Sequence, residues 1–172
     1  MRPIDRFLTA FKHEEADRVP VFECIANAAI FPHYIGKENF YSDGQPHVEL
    51  ARTLGLDSAL VHTWGYTSLI HRHHDWISDT EFFDEFGVKH VVSPASWPLA
   101  MAVGHSFPDR ESWEKMNRPD PMAEWRYEPI KAPVKEAQRG KADDVALIAR
   151  LRASVTVTFL PLIPICRCRP GV

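Results

Sequence analysis

Ile4, Phe7, Leu8 and Phe11 recur at i, i+3, i+4 and i+7, while Asp5, Arg6, Lys12 and Glu14 take the other face, so the chain opens on an amphipathic helix. Residues 19–25, Val-Pro-Val-Phe-Glu-Cys-Ile, are rich in β-formers with a proline near the entry, and predict a short buried strand. Residues 26–34 predict a helical or loop crossover, punctuated afterwards by Gly36 and Ser42-Asp43-Gly44. Residues 47–54 carry Val48, Leu50, Ala51 and Leu54 on a helix closed by Gly55, and residues 57–63 predict a second strand. Strand, helix and strand at this spacing predict a βαβ unit with parallel strands.

Periodicity weakens over residues 64–79, a loop-like stretch crowded with aromatics and histidines. Residues 80–92 predict extended structure around a turn, a β-hairpin excursion, and residues 93–108, with three prolines, an irregular loop. Residues 109–114 restart a helix with an acidic first turn, and Pro119-Asp120-Pro121 breaks it. A second long helix is predicted over 122–139, interrupted near Pro129 or Pro133 and ended by Gly140, then a third strand over 143–149.

Length bounds this pattern to one ordinary domain: 172 residues and 19.7 kDa. With 45% apolar and 25% charged residues, whole-chain disorder and collagen are excluded. A net charge of -3 offers no broad basic surface, so nucleic acid is not an expected partner. Three cysteines, Cys24, Cys166 and Cys168, form no disulfide framework, and a reducing compartment follows. The first residues lack a secretory apolar core, and the longest apolar run, 153–166, contains two prolines and falls short of the roughly 20 residues of a bilayer span. A cytoplasmic protein with no membrane partner is expected.

Several short motifs occur in a fixed order: Arg6-Phe7-Leu8, Glu14-Glu15-Ala16-Asp17-Arg18-Val19-Pro20-Val21, Asp84-Glu85-Phe86-Gly87-Val88, a Pro-rich segment, Asp109 with Glu111, Pro119-Asp120-Pro121 and Asp144-Val145-Ala146-Leu147-Ile148. The set resembles the amino-terminal region of the uroporphyrinogen decarboxylase-like superfamily, which includes the methyltransferases of corrinoid-dependent systems. The resemblance covers residues 2 to 149 and implies an α/β fold, the amino-terminal portion of a TIM-type (β/α)8 barrel, for residues 1–149. A complete barrel takes about 250 residues, so an incomplete one is expected, with open strand edges that favour self-association.

Residues 150–172 form an atypical apolar and basic tail, since after Asp144 the chain carries Arg150, Arg152, Arg167 and Arg169 and no carboxylate. A frameshifted carboxy-terminus explains the change, and a natural apolar strand with a basic end is the alternative. The nucleotide sequence, read in all frames beyond the codon for Ala149, is expected to continue with further β/α units that include a His-x-Cys pair. A clean single frame with a natural stop and no such continuation would count against the frameshift.

In parallel α/β proteins reactive groups gather at the carboxyl ends of strands. The candidates for lining a pocket are therefore Glu23, Cys24 and Asn27 after the first strand, and His62, Thr63, Trp64 and Tyr66 after the second. Glu23 sits in an apolar run where burial would raise its pKa for acid–base work; the alternative is a strand-end carboxylate satisfied by backbone N–H groups. Decarboxylases of the superfamily carry an arginine-bearing loop after the first strand and an aspartate after the second. Glu23-Cys24-Ile25-Ala26-Asn27 has no arginine and His62-Thr63-Trp64 no aspartate, so the resemblance points by elimination to the methyltransferase branch.

That branch resembles zinc enzymes in which a His-x-Cys pair and a later cysteine hold a thiolate. Cys166-Arg167-Cys168 lacks the histidine and the third sulfur, so no metal site and no cofactor is assigned to this chain. Zinc and a corrinoid protein partner belong to a full-length parent. His71, His73 and Asp75 share a face if extended and could hold a transition metal, but His71-Arg72-His73-His74-Asp75 is read as a solvated loop. The aromatics Trp64, Tyr66, Trp76, Phe82, Phe83 and Phe86 are read as covering a core edge. The expected function is that of a truncated member, inactive alone, whose parent moves a methyl group from a corrinoid or methylated donor to a thiol-type acceptor. A non-catalytic half-barrel that pairs with another chain is the rival, and uroporphyrinogen decarboxylation is disfavoured.

Overall fold

The computed structural model describes residues 1–39, 42–65, 68–97, 99–104, 107–138, 145–152 and 157–161. It is a mixed α/β structure with two sheets and, among the described residues, no closed barrel. The elements are α1 (Pro3–Phe11), α2 (Ile30–Ile35), α3 (Gly44–Thr53), β1 (Ser58–Val61), β2 (Asp75–Ser78), β3 (Glu81–Phe83), β4 (Lys89–Val91), β5 (Met101–Val103), α4 (Arg110–Lys115), a 3-10 turn (Glu124–Tyr127), α5 (Glu128–Gln138), β6 (Ala146–Arg152) and β7 (Val157–Pro161). No helix among the described residues is long and apolar enough to cross a membrane.

The first sheet has the order β1-β6-β7, and β1 pairs with β6 in parallel, Ser58 opposite Ala146 and Val61 opposite Ala149. Both faces of this pair are covered, as parallel strands require. Ala59, Val61, Val145 and Leu147 pack with Val48 and Ala51 of α3 and with Ile130 and Val134 of α5. On the opposite face Leu60, Ala146 and Ile148 pack against Phe7 and Ile4 of α1 and against Cys24. The strand predicted at 143–149 is thus β6, shifted toward the carboxy-terminus. The tail does contain a strand: β7 pairs antiparallel with β6. Residues 139–144 and the Cys166-Arg167-Cys168 motif lie outside the described residues.

The strand expected at 19–25 does not form; the segment is extended without a ladder. Its backbone contact with the entry of β1 is one bond, Asp57 N–H to the Val21 carbonyl at 2.9 Å, because the Val21 N–H goes to the Asp57 carboxylate at 2.7 Å instead of to a strand carbonyl. Pro20 has no N–H to add. Burial fails with the ladder: Val19 is 82% exposed and Val21 44%. The amphipathic opening helix forms, but Arg6, assigned to its polar face, is buried, and Phe11 is exposed. A hollow of about 310 Å³ lies there, lined by Phe7, Ala10, Phe11, His13 and Pro20.

Between β1 and β6 runs a second, antiparallel sheet of order β2-β3-β4-β5. The expected hairpin is its centre, β3 and β4 turning through Asp84–Val88, where Asp84 Oδ1 accepts the N–H groups of Phe86 and Val88 at 2.9 Å. The expected loop over 93–108 instead contributes the edge strand β5, paired with β4. The inner face of this sheet is its own core, in which Phe82, Ile70 and Ala100 pack with Trp76, Val92 and Trp97.

The helix expected over 122–139 divides into the 3-10 turn and α5, with Pro129 in the first turn, where a missing N–H is tolerated. Pro133 lies inside α5 and cannot donate to the Pro129 carbonyl. That carbonyl faces Gly44 at the start of α3 so closely that a Cβ on Gly44 would stand 2.2 Å from the oxygen. Gly44→Ala must therefore push α3 and α5 away from each other through backbone contact, and a loss of about 1–3 kcal/mol is expected. Urea unfolding checks it, a cost below about 0.5 kcal/mol contradicting the close approach.

Candidate functional site

β1 is buried along its whole length and delivers residues 62–65 from its carboxyl end toward the antiparallel sheet. His62 is 3% exposed and Trp64 half-buried, and the Trp64 backbone N–H donates to the Arg126 carbonyl at 2.8 Å, fixing the exit of the strand to the 3-10 turn. Gly65 has φ +86°, and its missing Cβ leaves room for the Arg126 guanidinium, which would stand 1.8 Å from such an atom. Arg126 is held in a fork: Nη1 donates to Glu85 Oε1 at 2.9 Å, Nη2 to Glu85 Oε2, and Nε to the Asp120 carbonyl at 2.7 Å. The Glu85 hydrogen bond raises the Arg126 pKa further, against the opposing effect of burial.

Beside this fork the loop returns as His71-Arg72-His73-His74. The reading of this stretch as a solvated loop fails for two of its members, since His71 is 1% exposed and His74 8%. The rings form a column. His71 and His74 lie 3.5 Å apart by centroid, His74 stacks on Phe82 at 4.0 Å, and Phe82 on His90 at 5.1 Å. His90 Nε2 meets Asp84 Oδ2 at 2.8 Å. At the other end His71 faces Trp64 at 6.3 Å and Trp125 at 6.1 Å, while the exposed His73 ring lies 4.3 Å from Trp64 and 5.5 Å from Trp125.

Burial, reinforced by His74, His73 and Arg126, pushes the His71 pKa down to about 3. Burial also lowers His74, partly offset by its bond to the Leu69 carbonyl at 2.6 Å. Both imidazoles are therefore neutral near pH 7. A neutral His71 has one ring lone pair, and a backbone donor stands at each nitrogen to take it, Gly65 N–H at Nε2 and His73 N–H at Nδ1, each at 3.1 Å, which leaves no lone pair for a metal. Among the described residues no group of three His, Cys, Asp or Glu side chains is placed to hold a metal ion.

Of the candidates named from sequence, the structure brings Trp64 to this cluster, and it buries His62 just after β1. Glu23 and Asn27 it places elsewhere. Glu23 is exposed, and its Oε1 accepts the Cys24 N–H at 3.0 Å. Asn27 is exposed and makes an Asx turn, Oδ1 accepting the Ala29 N–H at 3.0 Å. Cys24 packs into the α1 core, and Tyr66 lies outside the described residues. Trp76 and Phe82 do line a core, whereas Phe83 is exposed.

Sequence reasoning misses Arg126, Trp125 and Glu85, which come to the site from distant stretches of the chain, Glu85 and Arg126 being 41 residues apart. The usable signal is Gly65 beside Trp64, a glycine directly after a strand-end aromatic. Chemically, the cluster offers stacking faces and the buried Trp64 indole N–H, which has no hydrogen-bond partner among the described residues. Its carboxylates are committed, Glu85 to Arg126 and Asp84 to His90. A hollow of about 530 Å³ adjoins it, lined by Arg72, Trp76, Ile77, Ser78 and Asp79. No protein family, no curated protein and no solved structure matches this chain.

Proposed function

We propose that the chain is the opening βα portion of a barrel enzyme similar to the uroporphyrinogen decarboxylase-like superfamily, of the methyl-transferring branch, and that it is inactive alone. The observation that supports this reading best is the cluster at the carboxyl end of β1, where a parallel α/β enzyme keeps its chemistry. There the chain supplies stacking faces from Trp64 and Trp125 and the exposed His73 imidazole, while the carboxylates Glu85 and Asp84 are committed to Arg126 and His90. Methyl transfer is favoured over decarboxylation because the 23–27 segment has no arginine and residues 62–64 no aspartate to meet a polyanionic tetrapyrrole. Zinc does not fit the described residues: the described cysteine, Cys24, is packed against the α1 core, and no ligand triad lies near it.

The test is a chimera in which this chain precedes the carboxy-terminal half of a methyl-transferring member of the superfamily. The chimera is expected to demethylate methylcobalamin in the presence of a thiol, followed by the change in cobalamin absorption, and Trp64→Ala to weaken it at least about tenfold, the loss of one stacking face. The chain alone is expected to give no turnover of either methylcobalamin or uroporphyrinogen. Uroporphyrinogen turnover by chain or chimera, or an inert chimera that folds, overturns the proposal. A second reading, a non-catalytic module that associates along β1, is favoured by the exposed Val19, Val21 and Phe22 beside that strand, and predicts the inert outcome.

A further inference from the structure

His71 occupies an unusual position for a titratable group. It is sealed between two regions of the molecule, and each of its nitrogens faces a backbone N–H rather than an acceptor. A neutral imidazole accepts through one nitrogen; an imidazolium accepts through neither and sets N–H against N–H at both. The groups around it offer no compensating charge. From its own loop come His73 and His74; from the 3-10 turn, Trp125 and the cation Arg126, whose Glu85 partner is already engaged; from the loop after β1, Trp64 and Gly65. His74 in turn faces Phe82 of β3, His90 of β4 and, through His90, Asp84. Asp43, ahead of α3, binds exposed Arg72 at 2.7 Å and feels His73 and His47.

The His71 turn is also a mechanical link. It joins the antiparallel sheet to the β1–β6 body at Gly65, next to the Trp64–Arg126 and Arg126–Glu85 contacts and close to the Ser42 hydroxyl that donates to the Ile70 carbonyl at 3.0 Å. We propose that the close-packed His71–His74 pair is an acid-operated clasp: neutral, it holds the antiparallel sheet against the carboxyl end of β1, and protonated, it releases that sheet while the β1–β6 body stays folded. This stands on the ring geometry and does not depend on the methyltransferase reading.

The sign follows from the lowered pKa. An imidazole that is neutral in the closed state and ordinary once released takes up a proton on opening, so closure is fully present above about pH 6.5 and is lost as pH falls below it. The opening constant rises about tenfold per pH unit for one imidazole, and about a hundredfold if His74 titrates with it. Residue-resolved amide exchange of the full chain from about pH 7.5 to about pH 5, corrected for intrinsic rates, tests it. The amides of Gly65, His73 and β3–β4 are expected to lose protection along that slope, while those of Leu60 and Val61 keep theirs. His71→Gln, which retains an acceptor but cannot be protonated, is expected to flatten the slope; should it fail to fold, His74→Gln is expected to reduce the slope toward about tenfold per unit. Protection that is flat with pH, loss shared equally by Leu60 and Val61, or a His71→Gln protein with the full slope would each overturn the clasp.

Discussion

Asp57→Ala is expected to cost about 3–5 kcal/mol and to leave the β1–β6 body unfolded or close to it at about 37 °C. Asp57 is completely buried at the entry of β1, and its carboxylate gathers three partners from the amino-terminal segment. Arg6 of α1 donates to Oδ1, Arg18 donates to both oxygens, with Nη1 2.8 Å from Oδ2, and the Val21 N–H donates to Oδ2 at 2.7 Å. Its backbone adds Val21 on one side and the Ala146 N–H, at 2.9 Å, on the other. Removing the carboxylate strands the buried Arg6 side chain and an extended-segment N–H together. The remaining carboxylate partner of Arg6 is Asp17, at 2.5 Å, whose own carboxyl is held well below the usual carboxylate range by Arg6 and by the amino-terminal ammonium. Arg18 is half exposed, so Arg18→Ala should cost under about 1 kcal/mol. Urea unfolding of the variants checks both: an Asp57→Ala cost near that of Arg18→Ala would mean that the carboxylate does not tie the amino-terminal segment to β1.

This hub shows where sequence is legible and where it is not. The α3 helix and β1 can be read because Val48, Ala51, Ala59 and Val61 bury themselves with local periodicity, and their core is built from those positions. The hairpin can be read from Asp84 to Gly87 because its turn bonds are local. The segment at 19–25 misleads because its composition is that of a strand, whereas its fate is set by Asp57, 36 residues beyond Val21, whose side chain takes the N–H a ladder would need. Arg6 misleads for the same reason, since helical periodicity cannot foresee a buried carboxylate from another element. At the candidate site, Trp64 is accessible from strand-end logic, and the His-rich stretch is visible as a density of one residue type. Its burial is not, because it depends on Phe82 and Trp125, from two other elements, closing over it.

Gly65→Ala is expected to cost up to about 4–7 kcal/mol and to free the antiparallel sheet from β1. Two independent penalties add. At φ +86° an L-residue pays about 1–2 kcal/mol relative to glycine. The new Cβ would also stand 1.8 Å from Arg126 Nη1 and 2.8 Å from Glu85 Oε1, so the largely buried guanidinium must leave its carboxylate, and one separated partner of such a pair is worth up to about 3–5 kcal/mol. The two penalties can be told apart. In an Arg126→Ala background the guanidinium collision is gone and the Glu85 carboxylate, no longer held by Arg126, is free to turn away from the new Cβ, so adding Gly65→Ala there is expected to cost the backbone penalty alone, about 1–2 kcal/mol. Thermal or urea unfolding of the four proteins forms the cycle, with the fluorescence of Trp64 and Trp125 reporting the site. An equal cost of Gly65→Ala in both backgrounds would show that the glycine serves only its own backbone and does not seat Arg126.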